Sequence, residues 1–330
     1  MGWRYTQSKI KKSKQVKLAL IVLGIILGLL VLSWAIRFVN QMFSPWNGSS
    51  ETKHYVWNGK FNLNLLVRSK GISLFSYNPK QGKIVIINIP DETFLEVPGG
   101  FGSWQLRSIY DLGESEKAVG GNKLLLSALT SFLGMPIDGF LDFSMYETKS
   151  TGEIVDILRA NPFSGINLLY QLKTDLTPWE LIRLKTAIAG VRFDKIKEMD
   201  LAELNVLEKK NLPDGQEVYY GDSVKLDSIM ADLADPILVS EHISIAIFNA
   251  TAVPGLAQKW ARLVTNLGGN VIITANATEQ LKKTQIIGER SPTYERLGQI
   301  FASADKIKPL SGDLASRAQI NLILGEDYSN

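Results

Sequence analysis

Two adjacent carboxylates, Asp91 and Glu92, follow Ile89-Pro90 at the end of a nearly all β-branched run, Lys83-Ile84-Val85-Ile86-Ile87-Asn88-Ile89. Beyond the carboxyl end of a strand in an α/β sheet, such a pair stands where ligands bind. The same residues also suit a strand exit stocked with polar side chains, and pattern alone favours that simpler reading. Other chemistries are excluded by composition. The chain has no cysteine, which removes disulfides, thiolate nucleophiles and cysteine-ligated metals. Its two histidines, His54 and His242, rule out multi-histidine metal sites, and neither has neighbours that suggest a catalytic triad. No phosphate-loop glycine motif, G-x-S-x-G elbow or H-E-x-x-H is present.

The elements that must position the acidic pair begin with a membrane span. Leu18 to Ile36 is an uncharged stretch of 19 residues between Lys17 and Arg37. As a helix it reaches about 28 Å, the thickness of a bilayer core. Its length and its run into Trp34 fit an uncleaved anchor better than a signal peptide. Six basic residues precede it and only Arg37 follows before Glu51, so the amino terminus is expected in the cytoplasm and the rest outside. Gly24 and Gly28 form a G-x-x-x-G pair, a weak signal for helix pairing. The net charge of +3 hides an asymmetry, because the 293 residues after Arg37 carry a net charge of −4. A body of that sign lacks the footprint of a nucleic-acid binder, and the 17 residues before the span are too few for a DNA-reading fold.

The exported part reads as alternating strands and helices, an α/β class. Strands are predicted from Phe61, from Gly71 to Tyr77, from Lys83 to Ile89 and within Pro136–Ser144. Helices are predicted over Lys123–Leu133, over Glu153–Arg159 and from Pro178 to Ala189, the last behind Thr177 and Glu180 in a capping-box pattern. The pattern breaks at Asp235-Pro236, read as a hinge. Beyond it, strands at Ile243–Ile247, Val271–Thr274 and Gln319–Leu324 alternate with helices from Gly255 and Tyr294. The resulting division is a basic tail at 1–17, a span at 18–36, a juxtamembrane linker at 37–55, a first α/β domain at 56–232 and a smaller one at 241–330. The smaller domain is expected to fold alone and to recognise wall material or an envelope protein.

Over 56–230 the chain resembles the LytR–CpsA–Psr family of membrane-anchored envelope proteins. The resemblance lies in the order of a basic anchor, a strand into Arg68-Ser69, a strand pair around Asn78-Pro79, Ile89-Pro90 with Thr93, Val97-Pro98-Gly99 and Leu133-Gly134-Met135-Pro136-Ile137-Asp138. Residues 243–328 resemble the carboxy-terminal domain that often accompanies the family, through Phe248-Asn249-Ala250-Thr251, Gly255-Leu256-Ala257, Gly268, Asn276-Ala277 and Leu324-Gly325-Glu326-Asp327. The resemblance implies a transferase that moves a glycopolymer from a polyprenyl (pyro)phosphate carrier to peptidoglycan, usually with magnesium.

This chain keeps the frame and loses most of that chemistry. The family's G-x-D-x-R segment is missing, Lys70 stands where an Arg-x-Asp-Thr aspartate belongs, and Asp91 and Glu92 replace the arginine and aspartate of Ile-Pro-Arg-Asp-Thr. The arginine-rich R-x-x-R-x-x-Q helix is not visible; the capped helix carries Arg183 and Lys185 instead. A unit charge about 4 Å from another is worth ~4 kcal/mol at an effective dielectric of ~20, so an aspartate in place of an arginine turns attraction for a diphosphate into repulsion. The expectation is a degenerate domain that binds or scaffolds at the wall, with no cofactor. Arg68, Lys70 and Arg107 remain candidates for an anionic head group, with peptidoglycan, an envelope protein or a polyprenyl-phosphate lipid as partner. The alternative is a divergent phosphotransferase with Glu92 on Mg2+ and Arg68 and Arg107 on the phosphates.

Overall fold

The computed structural model describes residues 2–44, 55–116, 120–146, 149–160, 163, 165–170, 172–213, 215–301 and 317–328. Helix α1 (Gly2–Met42) contains the apolar stretch. Its Leu20–Met42 segment has a mean hydropathy of 2.4, and none of it is buried against the rest of the protein. One amino-terminal apolar helix of this length fits a single-pass membrane protein. His54 and most of the linker 37–55 fall outside the described residues.

The first domain starts with a meander, β1 (Leu63–Arg68), β2 (Ile72–Asn78) and β3 (Lys83–Ile89), followed by β4 (Thr93–Val97) and β5 (Gly102–Gln105). Helices α2 (Leu106–Ser115) and α3 (Gly121–Leu133) lead to β6 (Gly139–Asp142). Then come α4 (Thr151–Ala160), α5 (Ile166–Tyr170), β7 (Lys173–Thr174) and α6 (Pro178–Ala189). Strands β8 (Ile196–Asp200), β9 (Leu207–Asn211) and β10 (Glu217–Gly221) and helix α7 (Ser223–Met230) complete it. Six strands form the main sheet in the order β7-β6-β1-β2-β3-β8. Because β1 pairs in parallel with β6 and β3 with β8, while β2 runs against β1 and β3, the carboxyl ends of β1, β3, β6 and β8 share one edge.

The apolar run of β3 has the cause read from its composition, since both faces of the sheet are covered. Leu66, Leu74, Val85 and Ile87 pack against α2 and α3 on one side. Leu65, Val67, Phe75, Ile84 and Ile86 pack against α4 and α6 on the other. Helix α3 stops at Gly134, whose φ of 59° suits glycine. Helix α6 opens with the anticipated box: Thr177 accepts from the Glu180 N–H, and Glu180 accepts from the Thr177 N–H.

A second sheet, β5-β4-β10-β9, was not anticipated. Its strands β9 and β10 read Leu-Glu-Lys-Lys-Asn and Glu-Val-Tyr-Tyr-Gly, mostly exposed, without the apolar density that marks a buried strand. The pairing of Tyr219 with Thr93 joins segments far apart in sequence.

Helix α8 (Pro236–Glu241) leads into the last domain, β11 (Ser244–Asn249), α9 (Leu256–Asn266), β12 (Asn270–Asn276), β13 (Gln285–Gly288), α10 (Pro292–Ile300) and β14 (Ile320–Leu324). Its sheet has the order β12-β11-β14-β13. Trp260 belongs to the core, edge-on to Phe301 and Tyr328. His242 caps α8 in a left-handed conformation, φ 52°. Asn249, in one of three N-x-[ST] patterns, is buried and folds a turn by accepting from Thr251 and donating to the Val253 carbonyl.

The expected hinge is instead a fixed joint. Asp235 is buried, accepts from the Asn62 N–H at 2.7 Å and from the Ile237 N–H at 2.9 Å, and its own N–H donates to the Leu267 carbonyl at 2.8 Å. An Asp-Pro pair resembles a turn in sequence, but here it caps a short helix. More groups cross the joint. Arg262 on α9 pairs with Asp227 and donates to the carbonyls of Ser131 and Phe132. Arg296 on α10 lies with no exposed surface against Asp138, at 2.9 and 3.1 Å from its two oxygens, and donates to Tyr55 at 3.0 Å. Leu267 joins the core of the first domain.

Candidate functional site

The shared carboxyl edge of β1, β3, β6 and β8 gathers the residues singled out in the sequence. Arg68 ends β1, Lys70 lies exposed two residues on, and Asp91 and Glu92 follow β3 half-buried. Helix α2 comes down over this edge: the Arg107 N–H donates to the Asp91 carbonyl at 3.2 Å. Arg107 and Tyr110 are one turn apart and therefore on one face of α2. The Arg68 guanidinium lies 3.4 Å from the centre of the Tyr110 ring.

Two residues that the sequence reading missed decide what Arg68 can do. Asp142 ends β6 opposite Arg68 in the strand register and meets its Nη1 at 3.2 Å, with the carboxylate almost wholly buried. Its other oxygen accepts from the Ser144 N–H at 3.0 Å. Arg68 is thus held between a carboxylate and an aromatic face, and its charge is matched inside the protein. A charged residue in the apolar run Gly139-Phe140-Leu141-Asp142-Phe143 was the available signal. Beside the pair, Thr151 is buried within 2.6 Å of Ser73 and 3.3 Å of Ser69, a hydroxyl cluster with no charge.

Arg107 is exposed and bonds Gln105 at 2.9 Å. Burial raises the Asp91 pKa above the usual carboxylate range, the Glu92 charge adds to that, and Arg107 offsets part of it. A magnesium ion is held through one or two ionised carboxylates with phosphate and water completing the shell. At this edge Asp142 is paired with Arg68, while Asp91 and Glu92 are the half-buried carboxylates left over. A divalent ion at this edge would be held through Asp91 and Glu92.

The raised Asp91 pKa has a stability consequence. With the folded pKa above the unfolded value, ionisation costs stability above the folded pKa, and that cost is absent below the unfolded value near ~3.9. Asp91→Asn is therefore expected to raise Tm at pH 7 and to match wild type near pH 3.5. Equal melting curves at both pH values would contradict the burial argument.

Residues 242–328 match the family model described as LytR cell envelope-related transcriptional attenuator. No curated protein matches the chain. Among solved structures, TagT of Bacillus subtilis is similar at 14% identity with a TM-score of 0.39, covering 58% of this chain and 96% of that one. A structure described as TagT bound to LIIa-WTA is similar at 13% identity and a TM-score of 0.43, covering 58% and 94%. A LytR-CPS2A-psr family protein, YwtF (TagT) with bound octaprenyl pyrophosphate lipid, is similar at 15% identity and a TM-score of 0.39, covering 58% and 95%. The family-model match thus covers the last domain, and these solved structures are similar over 58% of the chain.

Proposed function

We propose that this chain is a single-pass envelope protein whose first domain has given up transferase chemistry and serves in binding or scaffolding at the cell wall. The observation that carries the reading is the state of Arg68. The residue best placed to meet a pyrophosphate is already paired with buried Asp142 and stacked on Tyr110. At the same end of the sheet, Asp91 stands where the family resemblance calls for a second arginine. The partner is peptidoglycan, an envelope protein or a polyprenyl-phosphate lipid. The full chain in detergent, with Mg2+, wall fragments and a labelled polyprenyl-pyrophosphate glycan, is expected to transfer no label over time. Time-dependent transfer abolished by Glu92→Gln would establish the divergent phosphotransferase instead, with Glu92 on the metal and Arg68 and Arg107 on the phosphates.

The orientation follows from charge. Six basic residues before the span hold the amino terminus in the cytoplasm and place both domains outside. A reporter fused after Asn330 is expected to be active only outside the cytoplasm; a carboxy-terminal domain protected from protease in intact spheroplasts would reverse the topology.

A further inference from the structure

Helix α6 buries Leu181, Leu184 and Ile188 in the core, yet its outer face is also partly apolar. Its charged Glu180 and Lys185 are buried, while Trp179, Ile182 and Thr186, at helical spacing of three and four, face outward with Trp179 39% and Ile182 51% exposed. A helix covering a core normally turns its polar stripe to water. Local bonds hold the two charged side chains inside. Glu180 faces in because it accepts from the Trp57 N–H at 2.7 Å and closes the capping box, and Lys185 faces in to donate to the Leu158 carbonyl. Trp179 is held in place by Arg183, whose guanidinium lies 5.4 Å from its ring centre and also donates to the Asn58 carbonyl.

The outer face of α6 also lies where the chain leaves the apolar helix. The Phe43 ring, just past α1, is 6.4 Å from the Trp179 ring, and α1 touches α6. The chain then returns to the same helix end through Trp57 and Asn58. If α1 spans a membrane, its exit sets this end of α6 at the level of the lipid head groups.

We propose that the Trp179–Ile182–Thr186 face of α6 rests on the membrane surface, with Trp179 as interfacial anchor and Arg183 toward lipid phosphate. Tryptophan and arginine at the edge of an apolar face are the side chains this interface accepts. Docking would fix the first domain against the bilayer instead of leaving it on a loose tether, with α2 and α3 on the opposite face of the sheet. The inference rests on the single-pass reading of α1.

The absence of native cysteine makes the test direct. Single cysteines at Leu27, Ile182 and Val224, all exposed, carry an environment-sensitive fluorophore on the full chain in nanodiscs of phosphatidylethanolamine and phosphatidylglycerol. Val224 lies in the first turn of α7, on the other side of the main sheet. The expected result is loss of fluorescence to lipid-borne quenchers at 27 and 182, and to aqueous iodide alone at 224. A Thr186→Cys label should follow the one at 182. Quenching by lipid at 27 with iodide access at 182 overturns the docking and leaves the anchor intact. Loss of lipid quenching at both 27 and 182 overturns the anchor and the docking together. Protection of 182 from both quenchers, relieved on dilution to one copy per disc, assigns the face to a second copy and overturns the lipid.

Discussion

Arg296→Met is expected to lower the stability of the whole chain by about 3–5 kcal/mol, because it leaves Asp138 charged and buried without its cation. In a protein of this size that is a fall in Tm of roughly 10 °C. The Arg296 side chain has no exposed surface and that of Asp138 is 2% exposed, so water cannot replace the lost partner. Burial alone would lower the Arg296 pKa, but Asp138 first and Tyr55 second outweigh it and hold the guanidinium above its ordinary value. The Tyr55 pKa is raised as well, by burial first and by the Asp138 charge second. The arginine comes from the last domain, the aspartate from the first domain and the tyrosine from the segment leading out of the linker. The expected loss is therefore a property of the joined chain. Replacing both charges, with Arg296→Met and Asp138→Leu together, should recover part of it, since removing a buried pair costs less than splitting one. Thermal and urea unfolding of the full chain provide the check. A change below ~1 kcal/mol for Arg296→Met would mean that the two domains do not share this core in solution.

The second large effect is expected at Glu180. Its carboxylate is wholly buried and accepts from the Trp57 N–H at 2.7 Å, the Thr177 N–H at 2.8 Å and the Thr177 hydroxyl at 2.9 Å. Glu180→Ala removes the acceptor from all three donors. Each buried unsatisfied donor costs about 1–3 kcal/mol, so a total near 3–5 kcal/mol is expected after local relaxation. Glu180→Gln keeps one acceptor oxygen and should lose less. The measurement is the urea midpoint, with the slope unchanged if only stability has moved. Glu180 also ties the segment that follows the linker to α6, so the variant should free Trp57 from its place in the core, visible as a red shift of its emission. A full-size urea midpoint for Glu180→Ala would show that the strap at Trp57 is held by packing alone.

The last domain, expected from the sequence to act as a free module, is packed onto the first domain by Asp235, Arg262 and Arg296. An isolated fragment 241–330 would expose Arg296 and Leu267, both fully buried in the chain.

What the sequence by itself determined is local or compositional. The apolar span, the absence of thiol and multi-histidine chemistry, the run of β3, the stop of α3 at Gly134 and the box that opens α6 each depend on residues within a few positions of one another. Periodicity and capping chemistry report such features directly. The order of the motifs likewise carried the family resemblance. Only the tertiary structure decided the rest. The second sheet joins Thr93 to Tyr219, the Arg68 charge is matched by Asp142, and Arg296 reaches Asp138, 158 residues away. Each depends on which distant groups the fold brings within about 3 Å. In one sequence without partners to compare, an arginine awaiting phosphate and an arginine already paired look alike. Burial and the parallel register of β1 with β6 separate them, because a charge inside the protein must be answered by an opposite charge nearby.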